Sequence, residues 1–270
     1  MSTTMGMPGF IDKSFVDESI IRAALAIYPR MSYESKLPEE RSLEEIIQFT
    51  NRYLGPPVIF TLDSRRYPAP ATQDPLTIFT PMINLCSLPA PRWVRLDTTG
   101  GNKHEILIFT DGSAPDNGLP NVRAGCGITF RPDGRGEYSF PLERVGSEPL
   151  TSNRAELRAA HAALCLRHWH AEGFGKVVIA TDSEYLVHGI NEWVIRWTEN
   201  GWKNTRGRRV KNIDLWQMLL NKIEELEASG LVVQFYLIQR GFNLADEVAK
   251  KGAEATDIPT EWVTQAAVAV

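Results

Sequence analysis

The sequence contains little cysteine and no long apolar run. Its 270 residues include three cysteines, far apart at Cys86, Cys126 and Cys165. This spacing excludes a disulfide framework and a CxxC zinc site, and it is typical of proteins from a reducing compartment. No apolar stretch reaches the roughly 20 residues that a membrane-spanning helix needs, so we expect no contact with a membrane.

The N-terminus lacks the basic segment of a secretory signal and the arginines of a transit peptide, because its first charges are Asp12 and Lys13. We therefore expect a location in the nucleus or cytoplasm. A strong positive charge is also missing. The net charge is -4, so binding to nucleic acid would depend on a local basic segment. The hydrophobic fraction of 43% argues against a wholly disordered chain.

The first hundred residues differ in composition from the rest. Two stretches with helical spacing, residues 14–28 and 42–54, precede a passage from 56 to 91 that holds eight of the 17 prolines. Such a passage favours edge strands and extended segments on another surface, and its runs VIFTL and LTIFT are strand-like. We predict that residues 1–100 form an N-terminal extension of unknown role, with TTGGN at 98–102 as a linker. The extension is a candidate docking segment, either for the rest of the chain or for a protein partner.

The pattern becomes regular from residue 103 onward. Strand-like and helix-like segments follow one another in the order βββαβααβα, which predicts an α/β fold with a mixed five-stranded sheet flanked by helices. We assign residues 103–257 to this domain and residues 258–270 to a C-terminal tail.

Two predicted strands end in similar motifs, IFTDGS and IATDSE, which carry Asp111 and Asp182. Open α/β sheets bind ligands at the carboxyl ends of their strands, so the two acids share one rim if their strands are neighbours. Glu156 and Asp246 are predicted in the first turns of two helices. Either acid alone is more simply explained as a charge favoured by the helix dipole. Asp246 has no obvious basic neighbour in the sequence.

Four acids at such positions are harder to explain without a cation, because like charges at one rim raise each other's pKa values. Carboxylates without a Cys or His partner suit Mg²⁺ or Mn²⁺ better than zinc. Two such ions about 3.5–4 Å apart are the arrangement that drives in-line hydrolysis of a phosphodiester. The acids therefore point to a nuclease.

Five motifs add a family resemblance: TDGS, TSNRAEL, TDSEYLVHGINEWVIRWTENGWK, VKNIDLW and NLADEVAKKGA. With them, residues 103–256 resemble a type 1 ribonuclease H domain, similar to eukaryotic or fungal members with a shortened histidine loop. The resemblance implies the RNase H-like fold and endonucleolytic cleavage of the RNA strand of RNA–DNA hybrids, leaving 3′-hydroxyl and 5′-phosphate ends. It implies two Mg²⁺ ions, with Mn²⁺ as a substitute. The catalytic metal ligands would be Asp111, Glu156, Asp182 and Asp246.

A basic segment lies between residues 196 and 211, with six basic residues and one acid around Trp197 and Trp202. Basic and aromatic side chains together suit a phosphate backbone and stacking, although a short basic run is more often a solvated loop. The resemblance implies that this segment grips the DNA strand of the hybrid.

The resemblance also implies an aromatic pair in the DNA channel, a pocket for a DNA phosphate and contacts to RNA 2′-hydroxyls. Tyr185 and Trp193 correspond to the pair, Thr151 and Asn212 to the pocket, and Asn117, with Glu156, to the 2′-hydroxyl contacts. The predicted nucleic-acid-binding residues are Asn117, Thr151, Asn153, Tyr185, Trp193, Trp202, Lys203, Arg206, Arg208, Arg209, Lys211 and Asn212.

The sequence departs from the family pattern at two places. The loop before the last helix is usually longer and carries a histidine, whereas Arg240-Gly241-Phe242 stands there in this chain. The arginine that often joins the phosphate pocket falls at Pro149. These departures leave open a weak or inactive module that binds hybrids or double-stranded RNA. A domain derived from a retroelement is the other alternative, because reverse transcriptases carry domains of this family.

Overall fold

The computed structural model describes residues 65–84, 89–96, 104–115 and 122–265. All of them belong to the second of two compact units, Thr61–Val270. The described part of the proline-rich passage therefore lies in the same unit as the domain predicted from residue 103 onward. The two predicted N-terminal helices, the VIFTL run and the TTGGN linker lie outside the described residues.

Within the described ranges, seven strands form one mixed sheet. The central strand, β3, is antiparallel to β2 and β4 and parallel to β6, while β6 is parallel to β7. The antiparallel pairs β1–β2 and β4–β5 complete the sheet. The strands are β1 (Thr80–Asn84), β2 (Ala90–Arg95), β3 (His104–Ser113), β4 (Gly125–Thr129), β5 (Glu137–Pro141), β6 (Phe174–Thr181) and β7 (Val232–Leu237).

The helices follow the predicted order, so the predicted α/β arrangement is confirmed. A π-helical turn, Gly189–Trp193, joins α2 to α3 within the segment that the sequence predicts as one helix. None of the described helices is long and apolar enough to cross a membrane. The helices are α1 (Ser152–Cys165), α2 (Glu184–His188), α3 (Val194–Glu199), α4 (Ile213–Ala228) and α5 (Asp246–Ala253).

The main core lies between the sheet and two helices, because α1 packs on β3 and α4 packs on α1. Leu157 and Leu164 of α1 are fully buried, as are Leu215 and Leu219 of α4, as the helical spacing predicts. Along β3, Ile106 and Ile108 belong to this core. Leu107 and Phe109 alternate with them and therefore face the other side of the sheet.

That other side is covered partly by α5, which packs on β4, β3 and β5, and partly by the proline-rich passage. Tyr67, Phe79 and Trp93 are buried in a second cluster with Leu107 and Phe109. The passage therefore packs on a surface rather than building a core of its own, and it adds β1 and β2 to the five predicted strands.

The LTIFT run is not the strand that its composition suggests. Its first residues belong to a 3₁₀ helix, Pro75–Thr77, because the Asp74 side chain accepts the Leu76 N–H at 2.9 Å and Pro75 favours the first helical position. The strand begins later, at Thr80.

The predicted C-terminal tail packs against the domain over residues 258–265. Ile258 and Trp262 contact the main core. The Val263 N–H donates to the Glu143 carboxylate at 3.2 Å, and Arg158 donates to the Val263 carbonyl at 2.7 Å. The end of the described chain is thereby attached to the buried ion pair of Arg158 and Glu143.

Candidate active site

Three of the four predicted acids meet at one rim of the sheet. Asp111 lies near the end of β3, and Asp182 directly follows β6. Because β3 and β6 are parallel neighbours, the two carboxylates share the rim, as the sequence pattern requires. Glu156 joins them from α1, and one ligand atom from each of the three residues lies within 4.8 Å of the others.

Glu156 reaches this rim because α1 approaches β3 unusually closely. A Cβ atom on Gly112 would lie 2.2 Å from the backbone nitrogen of Glu156, so the residue after Asp111 has to be glycine. The prediction that Glu156 lies in the first turn of its helix is wrong. The helix begins at Ser152, with Thr151 as its N-cap, so Glu156 lies in the second turn. The helix dipole therefore does not account for this acid.

Two of the three carboxylates, those of Asp111 and Glu156, are placed where a negative charge is costly. Burial, together with the charges of Asp182 and Asp246, raises the pKa of Asp111 from 3.8 to about 7. Burial and the charge of Asp111 raise the pKa of Glu156 well above its ordinary value. Its Oε2 atom is buried with no hydrogen-bond partner among the described residues. A cluster of hard oxygen donors with an unsatisfied buried atom fits a divalent cation such as Mg²⁺ or Mn²⁺.

Asp246 lies in the first turn of α5, as predicted, but its surroundings differ from the expectation. One carboxylate oxygen lies 2.7 Å from Arg240 and the other 2.6 Å from Lys250. Burial alone would raise the pKa of Asp246, but the hydrogen bonds from Lys250 and Arg240 outweigh it and lower the pKa. The expectation that no basic residue neighbours Asp246 is therefore wrong. It overlooked Lys250, one helical turn further along α5.

Asn243 is a site residue whose role the sequence pattern did not reveal. Its buried side-chain amide donates to the Asp182 carboxylate at 2.7 Å and to the Thr110 carbonyl at 3.1 Å. Its side-chain oxygen accepts the Ala245 N–H at 3.1 Å. Asn243 thus orients Asp182 and ties the start of α5 to β3. The signal in the sequence that could have identified Asn243 as a site residue is its position three residues before Asp246.

The predicted aromatic pair is brought together beside one residue of the predicted phosphate pocket. The rings of Tyr185 and Trp193 are half-buried, with centroids 5.9 Å apart. The Tyr185 hydroxyl accepts hydrogen bonds from Asn212 at 3.2 Å and Trp216 at 3.0 Å. Asn212 has a left-handed backbone, with φ of 60°, and precedes α4. Thr151, predicted for the same pocket, caps α1 by accepting the Arg154 N–H at 3.3 Å.

The basic segment is exposed, as a nucleic-acid surface requires, and Asn153 on α1 is exposed too. Trp202 is half-buried against the core and has a left-handed backbone, with φ of 62°. Asn117 lies outside the described residues. The exposed basic side chains among the predicted contacts are Lys203, Arg206, Arg208, Arg209 and Lys211.

Comparison with known proteins identifies the family of the domain that contains these acids. A family model described as RNase H matches residues 103–254, more than half of the chain. The chain belongs to the RNase H family. This RNase H family member is 35% identical to "Ribonuclease H" of Actinobacillus succinogenes over 152 residues, which cover 56% of this chain and 92% of that protein. It is 41% identical to "Ribonuclease H" of Escherichia coli O139:H28 over 115 residues, covering 43% of this chain and 67% of that protein.

Among solved structures, the RNase H domain is similar to LC9-RNase H1, described as a type 1 RNase H with the type 2 active-site motif. The identity is 27%, the TM-score is 0.41, and the match covers 55% of this chain and 72% of that one. Membership of the RNase H family confirms the predictions of the fold class and of a metal-dependent ribonuclease H enzyme.

Proposed function

We propose that this protein is a type 1 ribonuclease H that hydrolyses the RNA strand of RNA–DNA hybrids by a two-metal mechanism, leaving 3′-hydroxyl and 5′-phosphate ends. The observation that carries the proposal is the meeting of Asp111, Glu156 and Asp182 at one rim of an RNase H family domain. Hard oxygen ligands without Cys or His suit Mg²⁺, with Mn²⁺ as a substitute.

Each side chain has a definable task in this proposal. Asp111, Glu156 and Asp182 would hold the ions, and Asp246 would join them after giving up its bonds to Arg240 and Lys250. Bound divalent ions would supply positive charge that makes a water more acidic and stabilises the charge of the leaving oxygen. Asn243 keeps the Asp182 carboxylate in a fixed orientation through its 2.7 Å hydrogen bond.

The aromatic pair and the basic segment support a hybrid as the substrate. The flat rings of Tyr185 and Trp193 suit a sugar of the DNA strand, and the exposed basic segment suits its phosphates. "Ribonuclease H" is also the name of the relatives that share the domain. Arg240, at the place of the histidine in the shortened loop, contacts Asp246 at 2.7 Å and would stand beside the reacting phosphate.

A cleavage assay with labelled substrates tests the proposal. The wild-type protein is incubated with an RNA–DNA hybrid, double-stranded RNA, double-stranded DNA and single-stranded RNA, each in Mg²⁺, Mn²⁺ or EDTA. We expect cleavage of the hybrid alone, within its RNA strand, and none in EDTA. End-labelling before and after phosphatase treatment reads the 5′-phosphate. Binding of the hybrid without cleavage in either metal would instead favour the binding-module alternative.

The basic segment gives a separate prediction about affinity. Replacing Arg206, Arg208 and Arg209 together by Ala should weaken binding of the hybrid, because exposed arginines displace counterions from phosphates. The slope of log affinity against log salt concentration should fall by about one for each lost contact. Fluorescence anisotropy at several salt concentrations measures both quantities.

The control for this experiment is Arg135→Ala, which removes an exposed arginine from the turn between β4 and β5. It should leave the salt slope unchanged. If the triple variant has the affinity and slope of the wild type, the basic segment is not part of the substrate surface.

A further inference from the structure

The proline-rich passage does more than cover one face of the sheet. Residues 65–79, here called the strap, run alongside β7 at their start. The Tyr67 N–H donates to the Phe235 carbonyl at 2.9 Å, and the Phe235 N–H donates to the Arg65 carbonyl at 2.7 Å. Arg65 also forms an ion pair with Glu227 of α4 at 2.5 Å. The strap is therefore fixed to the strand that leads into the loop before α5.

The strap then holds the end of β7 and the beginning of that loop. The Tyr236 hydroxyl lies 3.2 Å from the Pro70 carbonyl oxygen and 2.8 Å from that of Gln73. The Gln239 N–H donates to the Ala71 carbonyl at 3.1 Å. Gln239 is the residue immediately before the short 3₁₀ helix Arg240–Phe242.

Apolar contacts join the same two segments. Phe79 of the strap is fully buried in the second cluster, which also contains Ile238 and Ala245 from either side of the loop. Ile78 of the strap and Phe242 of the loop pack against this cluster. The loop rests on side chains from outside residues 103–254, the range that the family model matches.

The loop in turn carries two side chains that contact the predicted ligands. Asn243 donates to Asp182 at 2.7 Å, and Arg240 donates to Asp246 at 2.7 Å. A displacement of the loop by a fraction of an ångström would therefore be transmitted to both carboxylates. Misplacement on that scale is costly in a reaction that depends on alignment.

We propose that the strap is a positioning element of the active site, which sets the loop 239–243 and through it the orientation of Asp182 and Asp246. The proposal rests on the function proposed above. It assigns the proline-rich passage to the catalytic unit and identifies Ile78, Phe79 and Tyr236 as positioning residues. None of the three touches the predicted metal ligands through a hydrogen bond or ion pair in the described structure.

The test compares two truncations within the full-length chain. Ile78→Ala removes strap atoms that pack against the second cluster, which includes residues on either side of the loop. Leu76→Ala removes a 39% exposed side chain two residues earlier in the same strap. Ile78→Val serves as the conservative rescue. Three quantities are measured for each variant: amide hydrogen exchange in residues 238–246, Mn²⁺ binding by calorimetry, and kcat and KM on the hybrid.

We expect Ile78→Ala to exchange faster at residues 238–246 than the wild type, to bind Mn²⁺ more weakly, and to lose about tenfold in kcat with KM nearly unchanged. Leu76→Ala should match the wild type, and Ile78→Val should recover most of the loss. If Ile78→Ala does not fold, Tyr236→Phe replaces it under the same criteria, because it deletes only the hydroxyl that reaches Pro70 and Gln73.

A variant with a lower melting temperature but wild-type exchange at residues 238–246 and wild-type Mn²⁺ binding would overturn the proposal, because the strap would then only stabilise the fold. Hydrogen exchange and Mn²⁺ binding do not depend on turnover. A wild-type protein that fails to cleave the hybrid would therefore count against the proposed function. Hydrogen exchange and Mn²⁺ binding of the variants would still show whether the strap positions the loop.

Discussion

Asp111→Asn should slow cleavage of the hybrid about 10³-fold while leaving the fold and the binding of the hybrid intact. Asparagine has the shape of aspartate, so the packing around the buried Asp111 side chain is preserved. Only the negative charge that a divalent cation needs is lost. If that charge is worth about 4 kcal/mol in the transition state, the loss in kcat is about 10³-fold. Single-turnover cleavage of a labelled hybrid in Mg²⁺ measures it.

The control for this loss is Asp257→Asn, which makes the same chemical change at an exposed aspartate beyond α5. It should cleave at the wild-type rate. Glu156→Gln and Asp182→Asn should behave like Asp111→Asn, because all three acids contribute to one cluster. Equal cleavage by the wild type and Asp111→Asn would remove this cluster from the mechanism.

The four acids show which features of the site can be predicted from the sequence. Two strands ending in similar Asp motifs predicted Asp111 and Asp182 at one rim, and the parallel pairing of β3 and β6 confirms it. This succeeded because the position of a residue at the end of a strand is a local property of the chain. The surroundings of Asp246 are not local in the same way. Arg240 reaches it from the loop before α5, which begins at Gln239 and is hydrogen-bonded there to Ala71 of the strap.

The wrong turn assignment for Glu156 has a simple physical origin. The motif TSNRAEL contains a good N-cap at Thr151, and the helix begins directly after it. The acid therefore lies in the second turn, where the helix dipole stabilises a negative charge only weakly. The residue that brings Glu156 to the site is Gly112, on a different element, which allows α1 to approach β3. A contact of this kind between distant segments has no signature in the spacing of either one.

The proline-rich passage was the hardest part to predict. Its prolines correctly favoured edge strands over an independent core, but its partners on β3, β6 and β7 are spread along the chain from residue 107 to residue 236. Burial of Leu107 and Phe109 on the second face of the sheet requires a cover, and the sequence of β3 shows only that both faces are apolar. The folded structure, and not the sequence, shows which segment covers this face.

The second large effect concerns thermal stability without metal. In EDTA at pH 8, Asp111→Asn should melt about 5 °C higher than the wild type. The pKa of Asp111 is raised from 3.8 to about 7 by burial and by Asp182 and Asp246, so the folded protein binds this proton more tightly than the unfolded chain. The stability that this group contributes is full below about pH 4 and is lost as the pH rises through 7. Asparagine does not ionise, so Asp111→Asn does not lose this stability as the pH rises.

Asp246→Asn is the matched control because its shift has the opposite sign. Lys250 and Arg240 outweigh the effect of burial and lower the pKa of Asp246, so its contribution to stability is present above about pH 4 and is lost as the pH falls. The same substitution at this position should therefore lower the melting temperature at pH 8 or leave it unchanged.

Magnesium should reverse the order of the wild type and Asp111→Asn. A cation bound by Asp111, Glu156 and Asp182 stabilises only the folded state, so the melting temperature of the wild type should rise with Mg²⁺ concentration, and that of Asp111→Asn should rise much less. Differential scanning fluorimetry from pH 5 to 8, with EDTA or Mg²⁺, measures all three proteins. A wild-type melting temperature that depends on neither pH nor Mg²⁺ would show that burial of these carboxylates does not destabilise the folded protein. The assignment of Asp111, Glu156 and Asp182 as metal ligands would then be wrong.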